Sequence, residues 1–82
     1  MKGFLKLEGL RYEIEQEIQE KQGNIKQLRK DMKQEKEEAQ NLFTRDAVEV
    51  RYVSKIIEQQ NELEHLKDKL KLINYCINTV FY

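Results

Sequence analysis

Asn41-Leu42-Phe43-Thr44-Arg45-Asp46-Ala47-Val48-Glu49 holds the candidate turn of this chain. Helical patterning runs up to it and away from it, so the chain is either one helix of about 70 residues or two helices folded back on each other. No Gly or Pro in the stretch enforces a turn. A second helix nevertheless has a start signal there. Asp46 followed by Glu49 fits a variant of the capping box, the Asp carboxylate accepting the third helical amide and the Glu reaching back. Thr44 is the alternative cap. The break is expected within 41–45.

Upstream, Phe4, Leu7, Ile14, Ile18, Ile25, Leu28, Met32, Ala39 and Leu42 share one three-four spacing. In heptad terms Phe4, Arg11, Ile18, Ile25, Met32 and Ala39 take position a, and Leu7, Ile14, Lys21, Leu28, Glu35 and Leu42 take position d. Nine of these twelve are apolar, which is the mark of coiled-coil or bundle packing. The register passes Gly23 without slipping, so one helix is expected through the glycine at a cost of about 1 kcal/mol against Ala. Downstream, Val53, Ile56, Leu63, Leu66, Leu70, Ile73, Ile77 and Val80 continue the period. The expected seam is Ile14, Ile18, Ile25, Leu28, Met32, Val53, Ile56, Leu63, Leu66 and Leu70.

Charge order chooses between one helix and two. The first arm is acidic early (Glu8, Glu13, Glu15, Glu17, Glu20), basic from Lys21 to Lys36, and acidic again at Glu37 and Glu38. The second arm is basic at Arg45 and Arg51, acidic at Glu58, Glu62 and Glu64, and basic at Lys67, Lys69 and Lys71. Folding at Thr44 sets Lys26 against Glu62, Lys30 against Glu58, Glu37 against Arg51 and Glu17 against Lys71; Lys33 against Lys55 is the poor match. A parallel dimer of long helices would set each block against its own sign. Exposed pairs contribute only about 0–1 kcal/mol each, but such patterns select orientation. An antiparallel dimer of unbroken helices about the same centre would show the same complementarity. The expectation is all-α: an antiparallel two-helix hairpin of coiled-coil type, with dimerisation into a four-helix bundle as its natural extension. It forms one domain over 1–82, with helices over about 5–42 and 47–81 and a turn over 43–46. Each arm would be roughly 55 Å long at 1.5 Å per residue.

Composition agrees. Charged residues make up 37% of the 82, Pro and Trp are absent, and Gly is confined to three positions, all of which favour helix. The sustained apolar period argues against disorder. Fifteen basic and fifteen acidic residues cancel, which lowers the expectation of a nucleic-acid binder. A lone Cys76 permits no internal disulfide, so a reduced, cytoplasmic setting is expected. Met1-Lys2-Gly3-Phe4-Leu5 lacks the apolar core of a secretory signal. Leu70 to Tyr82 is too short and too interrupted to span a bilayer. Abundant Lys, Ile, Asn and Tyr with few Ala suggest an AT-rich coding sequence, as in small proteins of low-GC bacteria and their phages.

Enzyme chemistry finds no purchase: no phosphate-binding glycine loop, no paired-cysteine metal signature, no nucleophile set. Glu62-x-x-His65 matches one element of di-iron bundles, but such a site needs two of them with further inward carboxylates. No cofactor, metal or small-molecule substrate is expected. Cys76 is read as a small core residue. The basic set Lys26, Arg29, Lys30, Lys33 and Lys36 could track a phosphate backbone, although acidic residues are interleaved and no aromatic accompanies it. Contact with nucleic acid there, as in a small phage-type or mobile-element regulator, is the alternative function.

The first choice lies at the chain ends. Phe4, Leu10, Tyr12, Leu72, Tyr75, Phe81 and Tyr82 are the expected partner surface, because a two-helix hairpin has one seam and the last turns are apolar on more than one face. The surplus would be covered by self-association or by a groove on another protein. This makes the chain a non-enzymatic protein-binding module: an adaptor, a chaperone-like protein or an inhibitor.

Leu7-Glu8, Gln27-Leu28-Arg29 and the Leu72-Ile73-Asn74-Tyr75 ending give a layout that resembles the small helical-hairpin chaperones of type III secretion systems. Those hold an export subunit through an apolar helix face. The pattern also resembles the coiled-coil front halves of phage-type transcription regulators of Gram-positive bacteria, which continue into a helix-turn-helix.

Overall fold

The computed structural model describes residues 2–80, without the side chains of Lys2 and Phe4; Met1, Phe81 and Tyr82 lie outside it. Two α-helices, α1 (Lys2–Glu38) and α2 (Leu42–Val80), pack antiparallel along their whole length as a hairpin. The rod measures 61 × 14 × 13 Å, close to the arm length expected for 37 and 39 residues in helix.

The turn falls earlier than expected. α1 stops at Glu38 and three residues, 39–41, connect the helices. Asn41, rather than Asp46 or Thr44, is the cap: its Oδ1 accepts the Thr44 amide at 2.8 Å, while its carbonyl accepts the Arg45 amide at 3.1 Å. Asn is among the strongest N-cap residues, so an earlier cap pre-empted the capping box, which lies inside α2. At the other side of the turn, the Ala39 amide donates to the Lys36 carbonyl at 3.3 Å, the tightened last turn typical of helix ends. Helix bounds of 5–42 and 47–81 are corrected accordingly. Leu42 becomes the first residue of α2 and is 74% exposed, not a d position of α1.

The earlier turn also moves the register. Cross-helix partners are Arg11–Asn74, Lys21–Glu62, Glu35–Arg51, Glu35–Tyr52 and Lys36–Glu49. Lys26 therefore does not meet Glu62, Lys30 does not meet Glu58, and neither Glu37–Arg51 nor Glu17–Lys71 forms. Antiparallel opposition of charge blocks holds, but the individual pairs expected from a centre at Thr44 do not.

The core is concentrated in the open half, away from the turn. Ile14, Ile18, Ile73 and Ile77 form its buried cluster, with Leu7, Leu63, Leu66 and Leu70 packed against it. Ile25, Tyr52 and Ile56 carry burial toward the turn, and Leu28 and Met32 are half-buried. Val53, expected in the seam, is exposed at 38%, and Tyr52 is buried at 9% in its place. The spacing explains this. Tyr52, Ile56, Gln59, Leu63, Leu66, Leu70, Ile73 and Ile77 alternate steps of four and three without a break, whereas Val53 is one residue out of phase. Val80, assigned to the same stripe, is 69% exposed.

Candidate functional site

Polar side chains interrupt the α1 repeat at Arg11, Lys21 and Glu35, and each crosses to α2. Arg11 donates to Glu8 on its own helix and, at 3.5 Å, to the Asn74 side-chain oxygen. The Lys21 ammonium bonds the Glu62 carboxylate. Glu35 accepts from Arg51 through one oxygen and from the Tyr52 hydroxyl, at 2.7 Å, through the other. Lys21 is held above its ordinary 10.5, chiefly by the hydrogen bond to Glu62. Tyr52 is held above its ordinary 10.0, chiefly by its bond to Glu35. The Tyr52 ring also lies under Arg51 and Lys55, 5.2 and 5.8 Å from its centre. Polar groups at seam positions fix register at some cost in stability, and these contacts hold the hairpin in one alignment.

Outside the seam the described residues leave many large hydrophobics uncovered. Seven large hydrophobics are buried and eleven are exposed. At the open end, Leu10 and Leu72 face the same groove, which has a volume of about 280 Å³, with Ile14, Leu66 and Ile73 as its floor and Glu13, Glu17 and Lys69 on its rim. Tyr75, 66% exposed, sits two residues from both Ile73 and Ile77, about 160° round α2 from each. Tyr12, 63% exposed, is likewise on the outer side of α1, two residues from Ile14. So the structure brings Leu10 and Leu72 together and places Tyr12 and Tyr75 on separate outer faces. The Phe4 side chain, Phe81 and Tyr82 lie outside the described residues.

A second exposed set went unread in the sequence: Leu42, Phe43, Val50 and Ile57, with Val53 beside them. Phe43, Val50 and Ile57 recur every seven residues on the side of α2 turned away from α1. That period was the available signal, and the seam expected through Val53 obscured it.

The basic set is freed by the register. Lys26, Arg29, Lys30 and Lys33 are exposed, and none has an acidic side chain within ion-pair distance among the described residues; only Lys36 is paired, with Glu49 at 3.4 Å. Lys26 and Arg29 line one side of the seam with Gln22, Gln60 and Leu63. Glu58 lines the other side with Lys21 and Lys55.

Remaining chemistry is sparse. Glu62 is occupied by Lys21, and no three His, Cys, Asp or Glu side chains converge as a metal site among the described residues. Cys76 is a half-buried free thiol. Gln59 occupies a seam position, and its side-chain oxygen is buried without a donor. No described helix is long and apolar enough to cross a membrane. Compared with known proteins, the chain matches no family model, no curated protein and no solved structure.

Proposed function

We propose that this chain is a non-enzymatic protein-binding module, an adaptor, chaperone-like protein or inhibitor, working in a reducing, cytoplasm-type compartment. It engages its partner through the open end of the hairpin, by the Leu10–Leu72 groove and by Tyr75 and Tyr12 on the outer faces of the two helices. The observation that carries this reading is the set of large hydrophobics left exposed in the open half, Leu5, Leu10, Tyr12, Leu72, Tyr75 and Val80. Scattered surface apolar residues are ordinary, but aromatic and aliphatic groups flanking a groove are the usual material of an interface core. Replacing Leu72 and Tyr75 by Asp tests it. Helicity should persist, because both side chains are 66% exposed, while association with the partner should be lost. Loss of folding would show that these residues serve the core.

A second reading, a small regulator touching nucleic acid through Lys26, Arg29, Lys30 and Lys33, draws support from the lack of acidic partners for these side chains. Its test is a mobility shift with duplex DNA at moderate salt, in which binding should weaken steeply as salt rises. No shift at micromolar protein removes it.

A further inference from the structure

The outer flank of α1 has an order of residues that the hairpin does not use. Glu8, Tyr12, Glu15 and Gln19 follow one another at steps of four and three, and Gln22, Lys26, Arg29 and Lys33 continue at similar steps. One half is acidic with an exposed tyrosine; the other is basic. All but Glu8 are exposed, and no ion pair to α2 engages either half. Glu8 alone is engaged, by Arg11 of its own helix.

This order is its own complement when reversed. A second α1 laid antiparallel, with the two-fold axis between Glu20 and Lys21, sets Glu15 against the partner's Lys26 and Glu8 against the partner's Lys33. It sets Tyr12 against the partner's Arg29, a cation-over-ring pairing, and Gln19 against the partner's Gln22. Each contact occurs twice, as a two-fold interface requires. A parallel pairing would place every charge on its own sign. α2 lacks this over its full length: about its own centre its basic, acidic, basic order opposes like to like.

The rod shape, 61 × 14 × 13 Å, leaves surface enough for such a pairing. A compact monomer of 9.9 kDa exposes about 5,200 Å² by the scaling of folded proteins, whereas this chain exposes 6595 Å². The excess, about 1,400 Å², is larger than the roughly 800 Å² that each partner buries in a standard interface.

We infer that the protein forms an antiparallel homodimer through the outer flank of α1, its alignment chosen by Glu8 and Glu15 against Lys33 and Lys26 of the second copy. This rests on the protein-binding reading and names one partner, a second copy, at a surface that shares Tyr12 with the open-end site but excludes its Leu72 and Tyr75.

Sedimentation equilibrium of the full chain at low salt tests it, with circular dichroism as the check on folding. Wild type should run at twice 9.9 kDa and dissociate as salt screens the pairs. Lys26→Glu with Lys33→Glu, and separately Glu8→Lys with Glu15→Lys, should each weaken the dimer at least tenfold. An equimolar mixture of the two variants should restore it as a heterodimer, an outcome that requires both to be folded. A wild type that stays monomeric to about 100 μM, a dimer indifferent to both reversals, or a mixture that does not associate would overturn the inference. A dimer lost only on Leu72→Asp with Tyr75→Asp would overturn it while supporting the open-end surface. A dimer lost only on charge reversal, with no partner affected by the Leu72 and Tyr75 changes, would do the opposite.

Discussion

The two halves of the hairpin are held by different chemistry. In the open half four isoleucines from both helices bury one another under a layer of leucines. In the turn half the recurring contacts are polar: Glu35 with Arg51 and Tyr52, Lys36 with Glu49, and the Asn41 cap. Apolar burial is non-directional and stabilises many alignments nearly equally. Hydrogen-bonded pairs contribute little net stability but tolerate few alignments. The open half holds the one buried cluster among the described residues, while the turn half, with Ile25, Tyr52 and Ile56 also buried, adds the denser polar pairing to the register contacts at Arg11 and Lys21.

That division can be broken from the open side first. Ile77 is 1% exposed, and Ile77→Ala should cost about 2–5 kcal/mol, the largest single loss in the molecule. For a domain this small, such a loss would leave a large unfolded fraction in thermal or urea melts. An Ile77→Ala loss near zero would mean that the open half is not the core. On the turn side, Asn41→Ala should cost about 1 kcal/mol, and Tyr52→Phe about 0.5–1.5 kcal/mol through the lost bond to Glu35. Where the halves meet, Gln59→Leu should raise stability by about 1 kcal/mol, since the buried side-chain oxygen has no donor to lose. A destabilised Gln59→Leu would show that the amide is satisfied.

The smallest effect is the dependence on pH. Lys21 and Tyr52 both titrate above their ordinary 10.5 and 10.0 because folding gives their protonated forms a carboxylate partner. A raised pKa in the folded chain means that the contribution is fully present below the unfolded value. It is lost as pH rises through the folded one. Melting temperature should be flat on this account from about pH 8 to 10 and fall above it. Tyr52→Phe and Lys21→Met should each flatten part of that fall, whereas Ile77→Ala should leave its slope unchanged.

How much of this was legible in the sequence differs between the halves for the same reason. Ile14, Ile18, Leu66 and Leu70 declare themselves by period alone, because an apolar face has nowhere else to go. Antiparallel orientation was also legible, since charge blocks oppose over many residues whatever the fine register. The turn was not. Asn41, Thr44 and Asp46 can all cap a helix, and choosing Asn41 shifted the pairing enough to separate Lys26 from Glu62. Tyr52 and Val53 are both plausible seam residues, and only the unbroken spacing through Gln59 to Ile77 favours the tyrosine, a spacing in which the one polar member, Gln59, gives no apolar signal. The surplus of apolar surface at the open end was legible, but its division between a shared groove and separate outer faces needed helix geometry.

A single chain that folds back on itself at 39–41 brings its two arms together, and a distance within one chain measures this. Spin labels at Gln16 and Lys69, both exposed, in a Cys76→Ser background and diluted into unlabelled protein, would be read by pulsed dipolar spectroscopy. The hairpin predicts a separation below about 20 Å, since packed helices lie 8–10 Å apart and the labels add the rest. A separation near 80 Å, the span of about 53 residues in one unbroken helix, or a short distance that disappears on dilution, would contradict it.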